Sequence, residues 1–215
     1  MSKQNLPPMQ QRADVRESII SKATEMFHQK GLRSVTMDDI AHSLTMSKRT
    51  LYQIFADKEE LLLACVKQHE RDERKWLTDL AASTQNVLEF ILRLSTEKMK
   101  RADTISHQFL EDIAKYPRVI QYIEQSKREN EDESVAFFAK GVEQGLFRKD
   151  INFRIVTRQL SSDIDTMVRN GLITEFPQNE LFANTFMLYI RGCATLKGVQ
   201  MIDDYLAGSQ TVPGS

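Results

Sequence analysis

The chain carries a cluster of polar side chains between Lys48 and Tyr52, in the string SKRTLYQ. Lysine and arginine donate hydrogen bonds to phosphates and to guanine edges, and hydroxyl side chains donate to phosphates. Such side chains read duplex DNA when they project from one helix that a second helix holds in place. We therefore expect a helix-turn-helix between Thr36 and Lys58.

Capping residues divide this stretch into short helices. Thr36 is a good N-cap with an acidic residue three positions later, close to a capping box, and Ser47 is a second N-cap candidate. Asp57 and Glu60 form a third capping signal, so a new helix begins near Lys58. Three helix starts within about twenty residues give helices that are too short to be stable alone.

The second short helix has one apolar and one polar face. Leu51 and Phe55 lie four residues apart, so they share the face that packs on the first helix. Arg49 and Gln53 then point away from the protein. The outward face is flanked by Lys48, Thr50 and Tyr52.

An upstream helix supplies the third side of a small core. Between Arg12 and Lys30 the apolar residues follow helical spacing, and Gly31 is a natural C-cap. These apolar residues are Val15, Ile19, Ala23, Met26 and Phe27. The pattern predicts a three-helix domain of about sixty residues, with the helix-turn-helix as its second and third helices.

The strings KGLRSVTMDDIAHSL and SKRTLYQIFADKEELLLACV follow one another in this region. Thr-Leu-Tyr, a Phe three residues after the Tyr, and a polar residue before Lys-Glu-Glu-Leu lie between Thr50 and Leu61. With these elements, residues 12–72 resemble the TetR family of bacterial transcription regulators. Two positions depart from the pattern, because many members have Gly in place of Thr45 and a small residue or Pro in place of Arg49. We therefore expect a different turn and a different operator sequence.

The resemblance implies a role for each matching residue. Thr36, Tyr52 and Lys58 would bind phosphates, Thr36 through its hydroxyl and the free N–H groups of the helix start. The residues that would read or approach bases are Ser47, Lys48, Arg49, Thr50 and Gln53. Arg or Lys favours guanine and Gln favours adenine. The alternative is a solvated basic helix face, which the agreement of capping, spacing and the Thr-Leu-Tyr string disfavours.

The charge of the chain is uneven. The whole chain of 215 residues has a formal net charge of −1. Residues 1–56 carry eight Lys/Arg against five Asp/Glu, a net of +3, and the remainder carries 21 against 25, a net of −4. A modestly basic head on an acidic body is consistent with DNA binding by the head.

The sequence predicts a cytoplasmic protein. It has no run of eighteen apolar residues, so no membrane helix is expected, and its N-terminus lacks the apolar run of a signal peptide. Cys65 and Cys193 lie in apolar helical contexts and are expected to be reduced core residues.

The fold class predicted is all-α, with about nine helices in two domains. Residues 12–72 would form the helix-turn-helix DNA-binding domain, and residues 73–206 a helical domain for effector binding and dimerisation. The patterns favour one long helix over Arg118–Gly145 and one over Gln178–Tyr205.

The resemblance also implies a ligand pocket and a dimer. Candidate ligand-lining residues are Phe90, Leu94, Met99, Phe109, Ile113, Tyr122 and Phe138, although such residues at helical spacing also form plain cores. Candidate dimer-interface residues are Ile164, Met167, Val168, Phe186, Tyr189 and Ile190. The expected protein is a homodimeric repressor that binds a palindromic operator of double-stranded DNA and is released by a small, mostly apolar effector.

An enzyme is the rival class of function. The chain has no G-x-S-x-G, P-loop or G-x-G-x-x-G motif, and its one S-x-x-K string, at Ser95, lacks the companion motifs. No histidine pair has metal-ligand spacing, so no catalytic residue, metal or cofactor is expected. A third reading is a helical ligand-sensing or scaffold protein that acts without specific DNA binding, against which the intact Thr36, Tyr52 and Lys58 argue.

Overall fold

Helices make up the regular structure of the described part of the chain. The computed structural model describes residues 9–102 and 112–210, except for the side chains of residues 9–12, 99–102, 164, 165, 168, 169, 173, 174, 178, 179, 182, 209 and 210. The helices are α1 (Met9–Lys30), α2 (Met37–Ser43), α3 (Lys48–Ile54), α4 (Lys58–Ala82), α5 (Val87–Ala102), α6 (Pro117–Glu129), α7 (Glu131–Glu143), α8 (Phe153–Arg169), α9 (Leu172–Glu175), α10 (Gln178–Cys193) and α11 (Leu196–Gln210). The predicted all-α class is confirmed. None of the helices described is long and apolar enough to cross a membrane.

The chain forms two compact units. The first contains the residues up to Arg74 and a second segment that ends at Glu124, and the other unit starts at Lys75 and resumes at Gln125. The predicted domains, 12–72 and 73–206, stay a prediction. The grouping adds a feature that the sequence pattern did not suggest, because residues 112–124 lie with the helix-turn-helix.

The first unit is built around the apolar faces of α1 to α4. Leu51 and Phe55 are fully buried, as are Ile19, Ile40 and Leu61. These side chains belong to one continuous cluster. Burial of this cluster stabilises helices that are too short to form alone, since α2 and α3 have seven residues each.

A Schellman motif connects α2 to α3. The Met46 N–H donates to the Ala41 carbonyl at 2.8 Å, and the Thr45 N–H donates to the His42 carbonyl at 3.0 Å. Thr45 has φ +52°, a left-handed conformation that glycine adopts without steric strain and β-branched residues disfavour. The turn therefore has the left-handed geometry typical of glycine, and the β-branched Thr45 is strained in it.

The second unit contains two helix breaks that the sequence did not predict. The single helix expected over Arg118–Gly145 is interrupted at Asn130, which separates α6 from α7. The single helix expected over Gln178–Tyr205 is interrupted at Ala194, which has extended backbone and forms an isolated antiparallel bridge with Phe147. The predicted single helices are therefore wrong.

The second break has a clear physical cause. The Thr195 N–H donates to the Leu146 carbonyl at 3.0 Å, so this backbone leaves the helix to pair with a distant loop. The Thr195 hydroxyl then accepts the Gly198 N–H at 3.2 Å and caps α11. Around these breaks, helices α5, α7, α8, α10 and α11 enclose a separate apolar core.

Replacing Thr45 with Gly should raise the free energy of unfolding by about 0.5–1 kcal/mol. The relief of the left-handed strain is about 1–2 kcal/mol, and the greater flexibility of Gly in the unfolded chain offsets part of it. Urea unfolding followed by circular dichroism measures the change. Thr45→Ala is the control, since it keeps a Cβ and should change stability little. A less stable Thr45→Gly protein would mean that the turn is not strained.

Candidate nucleic-acid interface

Helix α3 presents a polar face that is anchored from behind. Arg49 and Gln53 are exposed, and Tyr52 is 49% exposed. Leu51, one residue before Tyr52, is fully buried in the core of the first unit. The predicted split between an inward and an outward face is therefore present in the structure.

The start of α3 is fixed by a side-chain cap. The Ser47 hydroxyl accepts the Thr50 N–H at 3.1 Å and shares a hydrogen bond with the Thr50 hydroxyl at 2.8 Å. This cap satisfies one of the free N–H groups of the first turn. Ser47 is exposed and Thr50 half-buried, so the cap lies at the edge of the polar face.

Thr36 caps α2 through a complete capping box with Asp39. The Thr36 hydroxyl donates to the Asp39 carboxylate at 2.6 Å and accepts the Asp39 N–H at 3.1 Å, and the Thr36 N–H donates to the same carboxylate at 2.8 Å. The Thr36 hydroxyl lowers the pKa of Asp39, with its backbone N–H as a second cause. The Thr36 hydroxyl is thus occupied within the protein by Asp39.

Lys48 forms an ion pair with Asp38 that joins α3 to α2. The hydrogen bond to Asp38 raises the pKa of Lys48 above its ordinary value. Both side chains are more than half exposed, so water screens the pair and a phosphate can compete for the lysine. Arg49 and Gln53, by contrast, form no hydrogen bond or ion pair with any residue that the structure describes.

Lys58 points into the protein in this structure. Its ammonium donates to the Leu32 carbonyl and lies 5.8 Å from the centre of the Phe27 ring. Burial lowers the pKa of Lys58, while the nearby carboxylates of Asp112 and Asp39 act in the opposite direction. The predicted phosphate contact therefore requires that this side chain exchanges its internal partners for the phosphate.

Arg33 is an exposed cation beside the interface that the sequence reading missed. It lies in the turn between α1 and α2, three residues before Thr36, and its guanidinium contacts no partner within the described residues. A basic residue between the C-cap Gly31 and the N-cap Thr36 was the signal that could have found it.

The predicted ligand-lining residues do not gather at one described site. Phe138 stacks on Phe153 with 4.8 Å between ring centres and lies 5.4 Å from Phe147, and Phe90 meets Phe137 edge-on at 5.0 Å. This aromatic cluster is part of the core of the second unit.

The remaining ligand candidates are dispersed. Leu94 is half-buried on α5 in the second unit, whereas Ile113 and Tyr122 belong to the first. The Phe109 residue and the Met99 side chain lie outside what the structure describes. In the described parts of the chain, no three His, Cys, Asp or Glu residues are grouped to hold a metal ion.

The predicted dimer residues fall into two groups. Met167 and Tyr189 line a groove of about 490 Å³ between α8 and α10, together with Leu188 and Gly192, and the Tyr189 hydroxyl donates to Asp163. Ile190 is 3% exposed and Phe186 packs on the same core, so both serve the protomer itself. The side chains of residues 164 and 168 lie outside the described set.

Comparison with known proteins points to one family. The sequence model of a family described as bacterial regulatory proteins, tetR family, matches residues 19–65. The HTH-type transcriptional repressor KstR2 of Mycobacterium tuberculosis (strain ATCC 25618 / H37Rv) is 31% identical over 156 residues, which cover 66% of this chain and 74% of that protein.

Solved structures show the same fold. The ketosteroid transcriptional regulator KstR2 of Mycobacterium tuberculosis matches with a TM-score of 0.55 at 23% identity, over 84% of this chain and 95% of that chain. The fatty acid degradation regulator FadR from Bacillus halodurans matches with a TM-score of 0.64 at 15% identity, over 87% of this chain and 97% of that chain. At these identities the likeness concerns the fold.

Replacing Asp38 with Asn should strengthen DNA binding by about threefold, because it removes a negative charge from the polar face and frees Lys48. Fluorescence anisotropy with a labelled duplex at fixed salt measures the affinity. Asp150→Asn, which removes a similar exposed ion pair with Arg148 in the second unit, is the control. Weaker binding by Asp38→Asn would show that the pair orients α3 rather than occupying Lys48.

Proposed function

Since the chain belongs to the TetR family of bacterial regulatory proteins and is a DNA-binding transcription regulator, we propose that it acts as a homodimeric repressor. It binds a palindromic operator and is released by a small, mostly apolar ligand. Because its relatives are transcription regulators, we also propose that this protein has no enzyme activity and works in the cytoplasm.

The observation that carries the proposal is the polar face of α3. Arg49 and Gln53 are exposed and uncommitted within the described structure, and they stand on a helix whose opposite side is fully buried. A free guanidinium on a rigid helix suits bidentate bonds to guanine O6 and N7, and a free amide suits adenine. Lys48 and Thr50 lie beside them and approach the same base pairs, and Ser47 stands at the helix start.

Phosphate contacts surround this reading face. Tyr52 is exposed with its hydroxyl uncommitted within the described structure, so it suits a direct bond to a phosphate. Thr36 acts through the backbone N–H groups at the start of α2, because its hydroxyl is held by Asp39. Lys58 turns outward on binding, and Arg33 adds a contact ahead of Thr36.

The second copy of the chain docks on the groove between α8 and α10. Leu188 borders this groove and is 73% exposed. Among the described residues, no atom outside the neighbouring helix backbone lies within 4 Å of the position that a Cβ on Gly192 would take. A large apolar side chain in water next to an open space suits a symmetric interface, in which Leu188 of one copy fills the groove of the other. Two copies are needed because one recognition helix reads few base pairs.

The effector is bound within the second unit, near its half-buried apolar side chains. Phe90 and Leu94 lie on α5, and Phe90 meets the aromatic cluster from one side. Two proteins similar in fold are a ketosteroid transcriptional regulator and a fatty acid degradation regulator. Ketosteroids and fatty acids are both largely apolar. A ligand that binds the DNA-incompetent state more tightly would release the operator.

Selection of bound duplexes from a random DNA library tests the function. The wild-type protein should enrich a palindrome. Arg49→Ala should lose preference at one base pair of each half-site at a cost of about 1–3 kcal/mol, and Tyr52→Ala should weaken all duplexes alike and reduce the salt slope by about one.

Arg148→Ala, in the second unit, is the matched control for charge and should select the same palindrome as the wild type. Enrichment of no sequence at low salt would overturn the proposal in favour of a scaffold that acts without specific DNA binding.

Light scattering tests the dimer. The wild-type protein should have twice the mass of one chain at micromolar concentration, and Leu188→Glu should have the mass of a monomer, since it places a charge in an apolar interface. Leu196→Glu is the control, because Leu196 is also highly exposed but does not line the groove. A dimeric Leu188→Glu protein would place the interface elsewhere.

A further inference from the structure

Residues 112–124 belong to the first unit although they follow α5 in sequence. Two charged residues of this segment bind the two ends of the helix-turn-helix. Asp112 contacts the turn that enters it, and Arg118 contacts the turn that leaves it. We refer to residues 112–118 as the brace.

The Asp112 side chain holds the entering turn by accepting a backbone N–H of that turn. Asp112 is 1% exposed, and its carboxylate accepts the Arg33 N–H at 3.2 Å and a hydrogen bond from Lys115 at 2.6 Å. A buried carboxylate is costly unless it is hydrogen-bonded and paired, so these contacts fix its place. Arg33 lies three residues before Thr36, where α2 is capped.

Arg118 holds the leaving turn with four hydrogen bonds. One guanidinium nitrogen donates to both Asp57 carboxylate oxygens at 2.6 and 2.7 Å. Its Nε donates to Glu59 at 2.9 Å, and its backbone N–H donates to the other Glu59 oxygen at 2.7 Å. Asp57 lies three residues after Ile54, the last residue of α3, and its carboxylate also caps α4 by accepting the Glu60 N–H at 2.7 Å.

Further contacts keep α6 against α4. The Tyr122 hydroxyl donates to Glu70, and the Lys67 ammonium lies 4.9 Å from the centre of the Tyr122 ring. Val119 is fully buried in the same apolar cluster as Leu51 and Phe55. Helix α6, which begins within the brace, is therefore held by packing as well as by charge, and this defines the position of the brace relative to both turns.

We propose that Asp112 and Arg118 are positioning residues for DNA binding, which fix the turns before α2 and after α3 so that Thr36 and the α3 face meet the DNA together. This inference rests on the proposed function. Neither residue is assigned a contact with DNA. The brace acts because supporting contacts set how well a binding face is preorganised.

The Asp112 contact is tested with two variants of the full chain. Asp112→Asn keeps an oxygen that can accept the Arg33 N–H, and it should retain operator affinity within about threefold. Asp112→Ala removes the acceptor and should weaken binding by about tenfold. Amide hydrogen exchange should show a faster Arg33 N–H in Asp112→Ala alone. Equal affinity and equal exchange in the two variants would overturn the role of Asp112.

The Arg118 contact is tested by a double-mutant cycle with Glu59. Arg118→Ala and Glu59→Gln should each weaken operator binding, and the double variant should lose less than the product of the two fold-changes. The slope of log affinity against log salt should stay unchanged, whereas a direct phosphate contact by Arg118 would lower it by about 0.9. Arg148→Ala is again the control for loss of an exposed arginine.

The outcomes separate this inference from the proposed function. If the wild type selects an operator and the Arg118→Ala and Asp112→Ala proteins bind it as tightly, only the brace proposal fails. If the wild type selects none, the proposed function fails, and amide exchange over residues 33–58 still tests the brace. Unchanged amide exchange over residues 33–58 in both the Arg118→Ala and Asp112→Ala proteins would then overturn the brace proposal.

Discussion

The presentation of α3 depends on the burial of Leu51 and Phe55. A helix of seven residues does not persist alone in water, so its packing sets both its existence and its rotation. Full burial of these two side chains contributes about 1.5–3 kcal/mol each. Rotation by a single residue would turn Arg49 toward the core. The polar face is thus a consequence of the apolar one, and the caps at Ser47 and Thr36 only set where each helix begins.

Local features of the helix-turn-helix could be predicted from the sequence because they depend on residues close in the chain. The caps at Thr36 and Ser47 and the inward residues of α3 depend on neighbours within four positions. The orientation of Lys58 and the ion pair of Lys48 with Asp38 could not be predicted, since each depends on residues distant in the chain. The same holds for the brace, in which Arg118 meets Asp57 across sixty-one positions.

In the second unit, too, features that depend on distant contacts could not be predicted from the sequence. Helical periodicity continues through Ala194, yet the backbone there pairs with Phe147, and Thr195 starts a new helix. Thr195 is a residue type that caps helices, but the helical periodicity around it predicts one continuous helix. Aromatic residues such as Phe138 have helical spacing whether they line a cavity or fill a core, and here Phe138 stacks inside a cluster of rings. Spacing alone therefore does not separate a pocket from its surroundings.

The internal partners of Lys48 and Lys58 bear on the kinetics of association. In the free protein, one ammonium is paired with Asp38 and the other is turned toward the Leu32 carbonyl. If both bind phosphates in the complex, the first encounter with DNA involves fewer free cations than the final state. Long-range attraction would then be modest, and the association rate would depend less on salt than the equilibrium constant does. The remaining salt dependence would appear in the dissociation rate, as these lysines return to their partners within the protein.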